Sequence, residues 1–304
     1  MLDCQPRSAE ARSVTRRGRV LFVSLGVIWG LPYLLIKIAV RQLDPAFLVL
    51  VRTAGGALLL VPVAWARGEL RPALRFLKPL VCYTIAELAV PWWLLFDAER
   101  HVASSLAGLL VASVPLVSAV LAALAGGEAF GLRRVAGLLV GFGGVATLVG
   151  FDAAGSSVLA ALSIGVVAIG YAVGAFVVGR HLQDAPRLGI VALSLALCAA
   201  GYAPIAAFEV PSHLPAGSVL WSAAALTVVC TAVAFVLAFA LIEEVGAVRA
   251  TVVTYLNPAV ALVLGVVVLG EPAGPATLAG LALILFGSFL ATGAGRSRSA
   301  GSAP

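Results

Sequence analysis

The chain has 304 residues, of which 62% are hydrophobic and only 11% charged, and its mean hydropathy is +1.09. Soluble domains are about half apolar and about a quarter charged, so this composition excludes a soluble globular protein and indicates a membrane protein. The net charge of +6 does not indicate a nucleic-acid partner, because the basic residues lie in short loops between apolar runs.

Ten apolar runs are each long enough to cross a bilayer, which takes about 20 residues of helix. A polar, Arg-rich segment precedes them at residues 1–18, and the first run is too long for a signal-peptide core. In chain order the predicted helices are Arg19–Val40, Pro45–Ala66, Leu77–Phe96, Val102–Ala125, Arg133–Gly150, Ser156–Val178, Leu188–Phe208, Ala216–Ile242, Val245–Leu269 and Ala276–Gly293. A polar tail follows at residues 294–304. The predicted fold is an all-α polytopic membrane protein with ten transmembrane helices.

The loop charges predict the orientation of these helices. With the N-terminus in the cytoplasm, sixteen of the 20 basic residues fall in inner segments. The other four are Lys37, Arg41, Arg52 and Arg100. Because positive charge stays on the cytoplasmic side, we predict that both termini are cytoplasmic.

The fourth and fifth predicted helices are repeated by the ninth and tenth. A shift of 143 residues places Pro115 on Pro258, Glu128 on Glu271, Gly137 on Gly280 and Gly144 on Gly287. Apolar sequence alone rarely aligns four such residues, so we predict a duplication. The copies start five helices apart and therefore cross the membrane in opposite directions, which predicts two inverted five-helix repeats at residues 19–152 and 153–293. Inverted repeats are typical of secondary transporters, although some channels have them too.

Several segments carry a resemblance to a known family. They are IWGLPYLLIK at 28–37, Arg52, ASSLAGLLVASVPLVSAVLAALAGGE at 103–128 and GAVRATVVTYLNPAVALVLGVVVLGEP at 246–272. These segments resemble the EamA-domain family of the drug/metabolite transporter superfamily, over Val20 to Thr292. The resemblance implies a ten-helix carrier driven by protons or another gradient, often an exporter of amino acids or other small metabolites. Leu31 and Pro32 depart from the small polar residues usual in the family, which leaves the shape of the site at the first helix open.

Glu87 is the leading candidate for a transport residue, because it lies near the middle of the third predicted helix. A carboxylate at the bilayer centre is costly and normally faces a cavity, a partner or a proton path. We therefore predict that Glu87 takes up and releases a proton during transport. The alternative is a protonated glutamate that only forms a hydrogen bond between helices.

The first two helices contain two cations and a central tryptophan. Lys37 and Arg52 lie about two turns from the outer ends, so their side chains either reach the headgroups or line an outer vestibule that attracts a substrate carboxylate. Trp29 is central, and with Tyr33 it is predicted to line a substrate cavity, the alternative being that Trp29 packs against lipid or neighbouring helices. The tryptophans near helix ends are predicted to form an aromatic belt at the membrane interface, and they are Trp65, Trp92, Trp93 and Trp221.

Two prolines lie inside predicted helices. Pro115 and Pro258 each remove a backbone donor, and broken helix is tolerated in a membrane only beside protein or water. We predict that they are symmetry-related hinges, the alternative being simple packing kinks. Further predicted cavity residues, beside these prolines and on other helices, are Ser113, Tyr255, Asn257, Tyr171 and Tyr83.

The remaining acidic candidates lie at helix ends. Glu128 and Glu271 each end one helix and open the next, so they are predicted to be structural and to stabilise helix N-termini by about 0.5–2 kcal/mol. Glu243 and Glu244 lie beside Arg249 at the predicted inner mouth. They are predicted to form a gating salt bridge or else a solvated cluster.

The sequence contains no nucleotide-binding loop, metal-ligand spacing or nucleophile motif, so we predict no cofactor, no metal and no enzymatic activity. The predicted function is secondary active export of small amphipathic metabolites such as amino acids by alternating access, with protons as the expected coupling ion. The alternative is a passive channel or a lipid scramblase. The expected location is the inner or plasma membrane of a bacterium, and the sequence leaves a homodimer open.

Overall fold

The computed structural model describes residues 15–125, 131–152, 158–246 and 250–292. Within these ranges, ten helices are long and apolar enough to span a membrane. They are α1 Arg16–Ala39, α2 Pro45–Ala66, α3 Leu70–His101, α4 Ser104–Leu124, α5 Leu132–Gly150, α6 Val158–His181, α7 Arg187–Ala206, α8 Gly217–Val245, α9 Val252–Leu269 and α10 Pro275–Thr292. The predicted all-α, ten-helix membrane fold is confirmed.

The predicted helix ends agree within a few residues, except in α3 and α9. Helix α3 extends from Leu70 to His101 and is therefore longer than predicted at both ends. The prediction was too short because it followed the apolar run alone and left out the charged residues at the two ends of the helix. Helix α9 begins later than predicted because Gly246 separates it from α8. With a φ of +83°, Gly246 adopts a backbone conformation that favours glycine, and α8 ends at the preceding Val245.

Helices α4 and α9 are both interrupted before their prolines. Their segments are Ser104–Val111 and Val114–Leu124 in α4, and Asn257–Leu269 in α9 preceded by a 3₁₀ turn at Thr251–Tyr255, which begins one residue before the span. Pro115 and Pro258 lie in the first turn of the second segments, where a missing N–H breaks no helical hydrogen bond. The predicted breaks are therefore present at equivalent positions of the two halves, and their role as hinges stays a prediction.

A second symmetric irregularity was not predicted. Helix α3 is π-helical over Thr84–Ala89 and α8 over Val228–Val233, and α3 and α8 are the third helices of the two repeats. Hydroxyl groups bind carbonyls at these segments: Tyr202 donates to the Ala89 carbonyl at 2.8 Å, and Thr231 donates to the Leu226 carbonyl at 2.9 Å. These segments lie near the middle of α3 and α8. Because π-helical turns frequently occur at functional sites, they are candidate parts of a functional site.

Glycines allow α5 and α10 to pack against each other backbone to backbone. A Cβ atom on Gly144 would lie 2.8 Å from the Gly280 carbonyl oxygen, and one on Gly137 would lie 2.8 Å from the Gly287 carbonyl oxygen. Small residues permit this close approach where lipid supplies little driving force. These glycines therefore have a packing role.

Glutamates tie the two halves together by capping helices of the opposite half. The Glu209 carboxylate accepts hydrogen bonds from the backbone N–H groups of Ala46 at 3.0 Å and Phe47 at 3.4 Å, at the start of α2. In the symmetric arrangement, the Glu69 carboxylate accepts a hydrogen bond from the Gly189 N–H at 3.1 Å, at the start of α7. Each carboxylate satisfies free N–H groups and opposes the positive end of the helix dipole.

Glu271 caps a helix, but not the one that the sequence suggested. Its carboxylate accepts hydrogen bonds from the N–H groups of Ser104 at 2.7 Å and Ser105 at 2.9 Å, so it caps α4 rather than α10, which follows it in the chain. Partial burial acts to raise the pKa of Glu271, but these hydrogen bonds outweigh it and hold the pKa below its usual value. Glu128, the repeat counterpart of Glu271, lies outside the described residues.

We expect Glu271→Gln to destabilise the protein by about 1 kcal/mol near neutral pH, because the ionised cap is lost. A carboxylate with a lowered pKa stabilises the fold above its unfolded-state pKa of about 4.3, and this contribution disappears as the pH falls through the folded-state pKa. The melting temperatures of the wild type and the variant should therefore converge in acid. Glu243→Gln, at an exposed glutamate, is the matched control. A difference between Glu271→Gln and wild type that is the same at every pH would contradict the ionic cap.

Candidate functional site

A cavity of about 380 Å³ lies between α1, α2, α3, α4, α6, α8 and α9. This volume falls within the range of about 300–1,000 Å³ that is common for ligand sites. The aromatic, charged and amide side chains that line it are Trp29, Tyr33, Arg52, Glu87, Trp92, Tyr171, Phe235, Tyr255 and Asn257. Both halves of the chain contribute to this lining, as an inverted-repeat transporter requires.

The cavity brings together most of the predicted site residues. Those that line it are Trp29, Tyr33, Arg52, Glu87, Tyr171, Tyr255 and Asn257, together with the prolines Pro115 and Pro258. Two predicted residues lie elsewhere. Tyr83 is buried in a separate apolar cluster with Leu80 and Val177, and the Ser113 hydroxyl donates to the Leu110 carbonyl at 2.7 Å.

Arg52 is buried beside the cavity, rather than reaching the headgroups or lining an outer vestibule. Its residue is 6% exposed, and its Nε donates a hydrogen bond to Thr231 Oγ1 at 3.0 Å. The guanidinium carbon lies 3.7 Å from the centroid of the Trp92 ring and 6.0 Å from that of Phe96. Stacking on Trp92 and bonding to the π-helical segment of α8 hold the cation in one orientation.

Glu87 lies in the π-helical segment of α3 and faces the same cavity. Two glycines of α6 make room for Glu87 and for the backbone of the preceding Ala86. A Cβ atom on Gly174 would overlap Glu87 Oε2, and one on Gly170 would lie 2.5 Å from the Ala86 carbonyl oxygen. Tyr171, between these glycines in the chain, is within electrostatic range of both Glu87 and Arg52. The acid and the cation therefore belong to one site.

The wall formed by α1 and α9 depends on Asn257. With its amide nitrogen turned toward the neighbouring carbonyls, Asn257 donates to Val253 on α9 and to Gly26 on α1, at 3.2 Å each. A side chain at Gly26 or Gly30 would collide with α9, so these glycines permit the close contact. Asn257 thus joins the broken helix to α1, and both Asn257 and Trp29 line the cavity.

Lys37 has a structural role in place of the two that the sequence suggested. Its Nζ donates hydrogen bonds to the backbone carbonyls of Glu99 at 2.6 Å and Val102 at 2.7 Å. Cations near a helix C-terminus satisfy carbonyls that have no helical partner and oppose the helix dipole. Lys37 therefore fastens the end of α3 to α1.

At the opposite face, Glu244 is bound to the start of α1. Its carboxylate accepts a hydrogen bond from Thr15 Oγ1 at 2.5 Å and lies 3.9 Å from Arg17. The predicted partner, Arg249, lies outside the described residues, and Glu243 is exposed. A gating role for Glu243 and Glu244 stays a prediction.

Three important side chains were missed or misplaced by the sequence analysis. Trp92 was assigned to the aromatic belt, yet it is 6% exposed and supports Arg52, whereas Trp65 and Trp221 are 75% and 78% exposed as a belt requires. Thr231, which binds Arg52, and the fully buried Glu99 were not singled out. A carboxylate in the last turns of a long apolar helix was the available signal for Glu99.

The chemistry of the cavity suits an amphipathic ligand. A fixed guanidinium can form a bidentate pair with the carboxylate of a ligand. Glu87 can accept or donate a proton, and the aromatic side chains of the cavity can cover the apolar part of the ligand. Among the described residues, no three His, Cys, Asp or Glu side chains are grouped to hold a metal ion.

Comparison with known proteins shows the same two-fold organisation. The model of the EamA-like transporter family matches twice, at residues 16–150 and 158–293. Protein PagO of Salmonella typhimurium is 28% identical over 124 residues, and the uncharacterized inner membrane transporter YedA of Escherichia coli K12 is 32% identical over 123 residues. Each alignment covers 40% of this chain and 40% of the relative.

A crystal structure of a protein that is 24% identical in sequence has the same fold, with a TM-score of 0.65 over 90% of this chain and 96% of that chain. At this identity the likeness establishes the fold alone. The two family matches, in contrast, each cover one five-helix half and together span most of the sequence. This chain is therefore a multi-pass membrane protein that belongs to the EamA-like transporter family.

Proposed function

We propose that this transporter is a secondary active exporter of small amphipathic metabolites such as amino acids, coupled to protons through Glu87. One observation carries the proposal: a single cavity, lined by both halves, holds a fixed guanidinium and an intramembrane carboxyl group. Ionisable side chains inside a membrane are costly and usually mark a substrate or proton path.

In this mechanism, Arg52 binds the substrate carboxylate. Thr231 and Trp92 hold the guanidinium in place, so little side-chain entropy is lost when the substrate binds. The aromatic rings of Trp29 and Tyr255 cover the apolar part of the substrate. A substrate amine then lies on the Glu87 side of the cavity, where it and a proton compete for the carboxylate.

Alternating access requires the two halves to change their relative packing around this cavity. The breaks before Pro115 and Pro258 lie against it, as does the π-helical segment that contains Glu87. Short irregular segments can absorb the backbone changes of a hinge without breaking long runs of helical hydrogen bonds. Glu69, Glu209 and Glu271, which cap helices of the opposite half, hold the helix ends while the middle of the bundle moves.

We place the protein in a bacterial inner or plasma membrane with both termini in the cytoplasm. The distribution of basic residues over the loops supports this orientation. The relative YedA of Escherichia coli is described as an inner membrane transporter, which supports the location.

The test is flux into proteoliposomes that contain the purified protein. The first step is a thermal-shift screen of amino acids and related metabolites, and the second is uptake of each hit with and without a proton gradient. A secondary transporter gives saturable flux, and accumulation against the substrate gradient only when the proton gradient is present. Flux that never saturates and never accumulates substrate would instead identify a passive channel, and lipid exchange between leaflets would identify a scramblase.

A further inference from the structure

A second carboxyl group lies near the end of α3. Glu99 is fully buried, and neither of its Oε atoms has a hydrogen-bond partner among the residues that the structure describes. Almost all buried polar groups in proteins are hydrogen-bonded, so an isolated carboxyl group requires an explanation. Glu99 is one helical turn beyond Leu95, which lines the cavity, and so lies about 6 Å further along α3.

The nearby cation, Lys37, forms neither a hydrogen bond nor a salt bridge with this carboxyl group in the described part of the chain. Lys37 Nζ binds the backbone carbonyls of Glu99 and Val102. The ion pairs found in the described part of the chain are Arg17 with Glu244 and Arg100 with Asp44. The hydrogen bonds of the Lys37 ammonium therefore go to backbone carbonyls at the end of α3.

The other titratable groups near Glu99 come from four elements. Helix α1 contributes Tyr33 as well as Lys37, and α6 contributes Tyr171, both tyrosines being within electrostatic range of Glu99. On α2 the charged group is Arg52, which is bound to Thr231. The loop before α10 contributes Glu271, whose negative charge opposes a negative charge on Glu99. From α4 the neighbouring polar residues are serines, which do not titrate.

An ionised carboxylate in this position would be buried without a donor, which is far more costly than burying the neutral acid. A bound metal cation is disfavoured by the ammonium of Lys37 close by. We propose that Glu99 is a proton-binding site at the outer end of α3, occupied by a proton while the ends of α1, α3 and α4 are packed together. When these ends separate, water reaches the carboxyl group, the O–H bond breaks, and the proton passes to water on the outer side.

The site therefore makes the separation of these helix ends, which form the outer mouth of the protein, depend on pH. A deprotonated Glu99 favours the open mouth, because reclosing would bury an unpaired charge, and protonation allows closure. This gating step rests on the proposed transport function, whereas the presence of the proton does not. Glu87 and Glu99 are about 18 Å apart along α3 by helix geometry, so they are separate sites on one helix.

The direct test is infrared spectroscopy of the purified protein in lipid at neutral pH, which detects the C=O stretch of a protonated carboxyl group. We expect Glu99→Gln to lose a part of this band that Asp97→Asn, on the same helix at a partly exposed position, retains. Labelling the glutamate side chains with ¹³C should shift that part of the band in the wild type. Retention of the full band in Glu99→Gln would show that Glu99 is ionised or binds another cation, and would overturn the proposal.

Thermal stability gives a second readout. Glutamine has the shape of the neutral acid but needs no proton, whereas wild-type Glu99 must keep its proton in the folded state as the pH rises. The melting temperature of Glu99→Gln relative to wild type should therefore increase between about pH 5 and about pH 8. A variant that fails to fold, or that is less stable by the same amount at every pH, would contradict a neutral Glu99.

A transport experiment uses the substrate found in the flux screen. In it the pH is varied only on the outer side of the protein. Glu99→Gln should remove the part of the pH dependence that arises at this face, while Asp97→Asn keeps it. Loss of the infrared band with unchanged pH dependence would overturn the gating step. If no substrate is transported at all, the infrared result still decides whether Glu99 holds a proton, so the two failures are distinguishable.

Discussion

Glu87→Gln is expected to abolish accumulation of substrate driven by a proton gradient, down to the level of liposomes without protein. Glutamine has nearly the same shape as the protonated acid, so the contact with Gly174 and the π-helical segment should remain. It cannot release a proton, however, and the variant is left with no carboxyl group in the middle of α3. The measurement is substrate uptake under an imposed proton gradient, with the rate normalised to reconstituted protein.

A second measurement separates coupling from binding. Counterflow exchange of labelled for unlabelled substrate needs no net proton movement, so Glu87→Gln should retain it at saturating substrate, with a higher half-saturation concentration because the substrate amine loses its charged partner. Glu87→Asp, which keeps an ionisable group, should retain some accumulation. If Glu87→Gln accumulates substrate like the wild type, then Glu87 only joins helices and proton coupling must arise elsewhere.

The residues that the sequence analysis identified share one property. Glu87, Pro115 and Pro258 are each costly or disruptive inside an apolar helix, so their presence alone indicated a functional or structural reason. The duplication then placed the two prolines in equivalent helices. The lengths of the apolar runs predicted the ten helices, and these costly residues together with the family resemblance predicted most of the cavity lining.

The residues that it missed depend on contacts between helices. Trp92 near a helix end looks the same in sequence whether it faces lipid or lies under Arg52. Lys37 and Glu271 bind backbone groups of other helices, and no local pattern shows which helix ends meet. The π-helical segments likewise have no residue type that identifies them, since a segment such as Val228–Val233 is apolar and β-branched like much of the chain.

Arg52→Met is expected to weaken the binding of a carboxylate substrate by about 30-fold or more. Removing one partner of a buried charge interaction costs about 2 kcal/mol at least, and each 1.4 kcal/mol corresponds to about a tenfold change in Kd. Methionine keeps the apolar contact with Trp92, so the loss reports on the charge and its hydrogen bonds rather than on packing. Binding is measured by titration of the purified protein with the substrate and with its uncharged amide analogue.

The analogue decides between recognition and scaffolding. If Arg52 binds the carboxylate, Arg52→Met binds the acid more weakly than the wild type does but binds the amide equally well. The affinity of Arg52→Lys for the acid should fall between those of the wild type and Arg52→Met, because lysine keeps the charge but loses the planar stacking on Trp92. Thr231→Val removes the hydrogen bonds of the Thr231 hydroxyl to Arg52 Nε and to the Leu226 carbonyl but keeps the guanidinium, so it should cost less than Arg52→Met. Equal losses for acid and amide would show that Arg52 instead supports the α8 π-helical segment, and the substrate carboxylate would then need another partner.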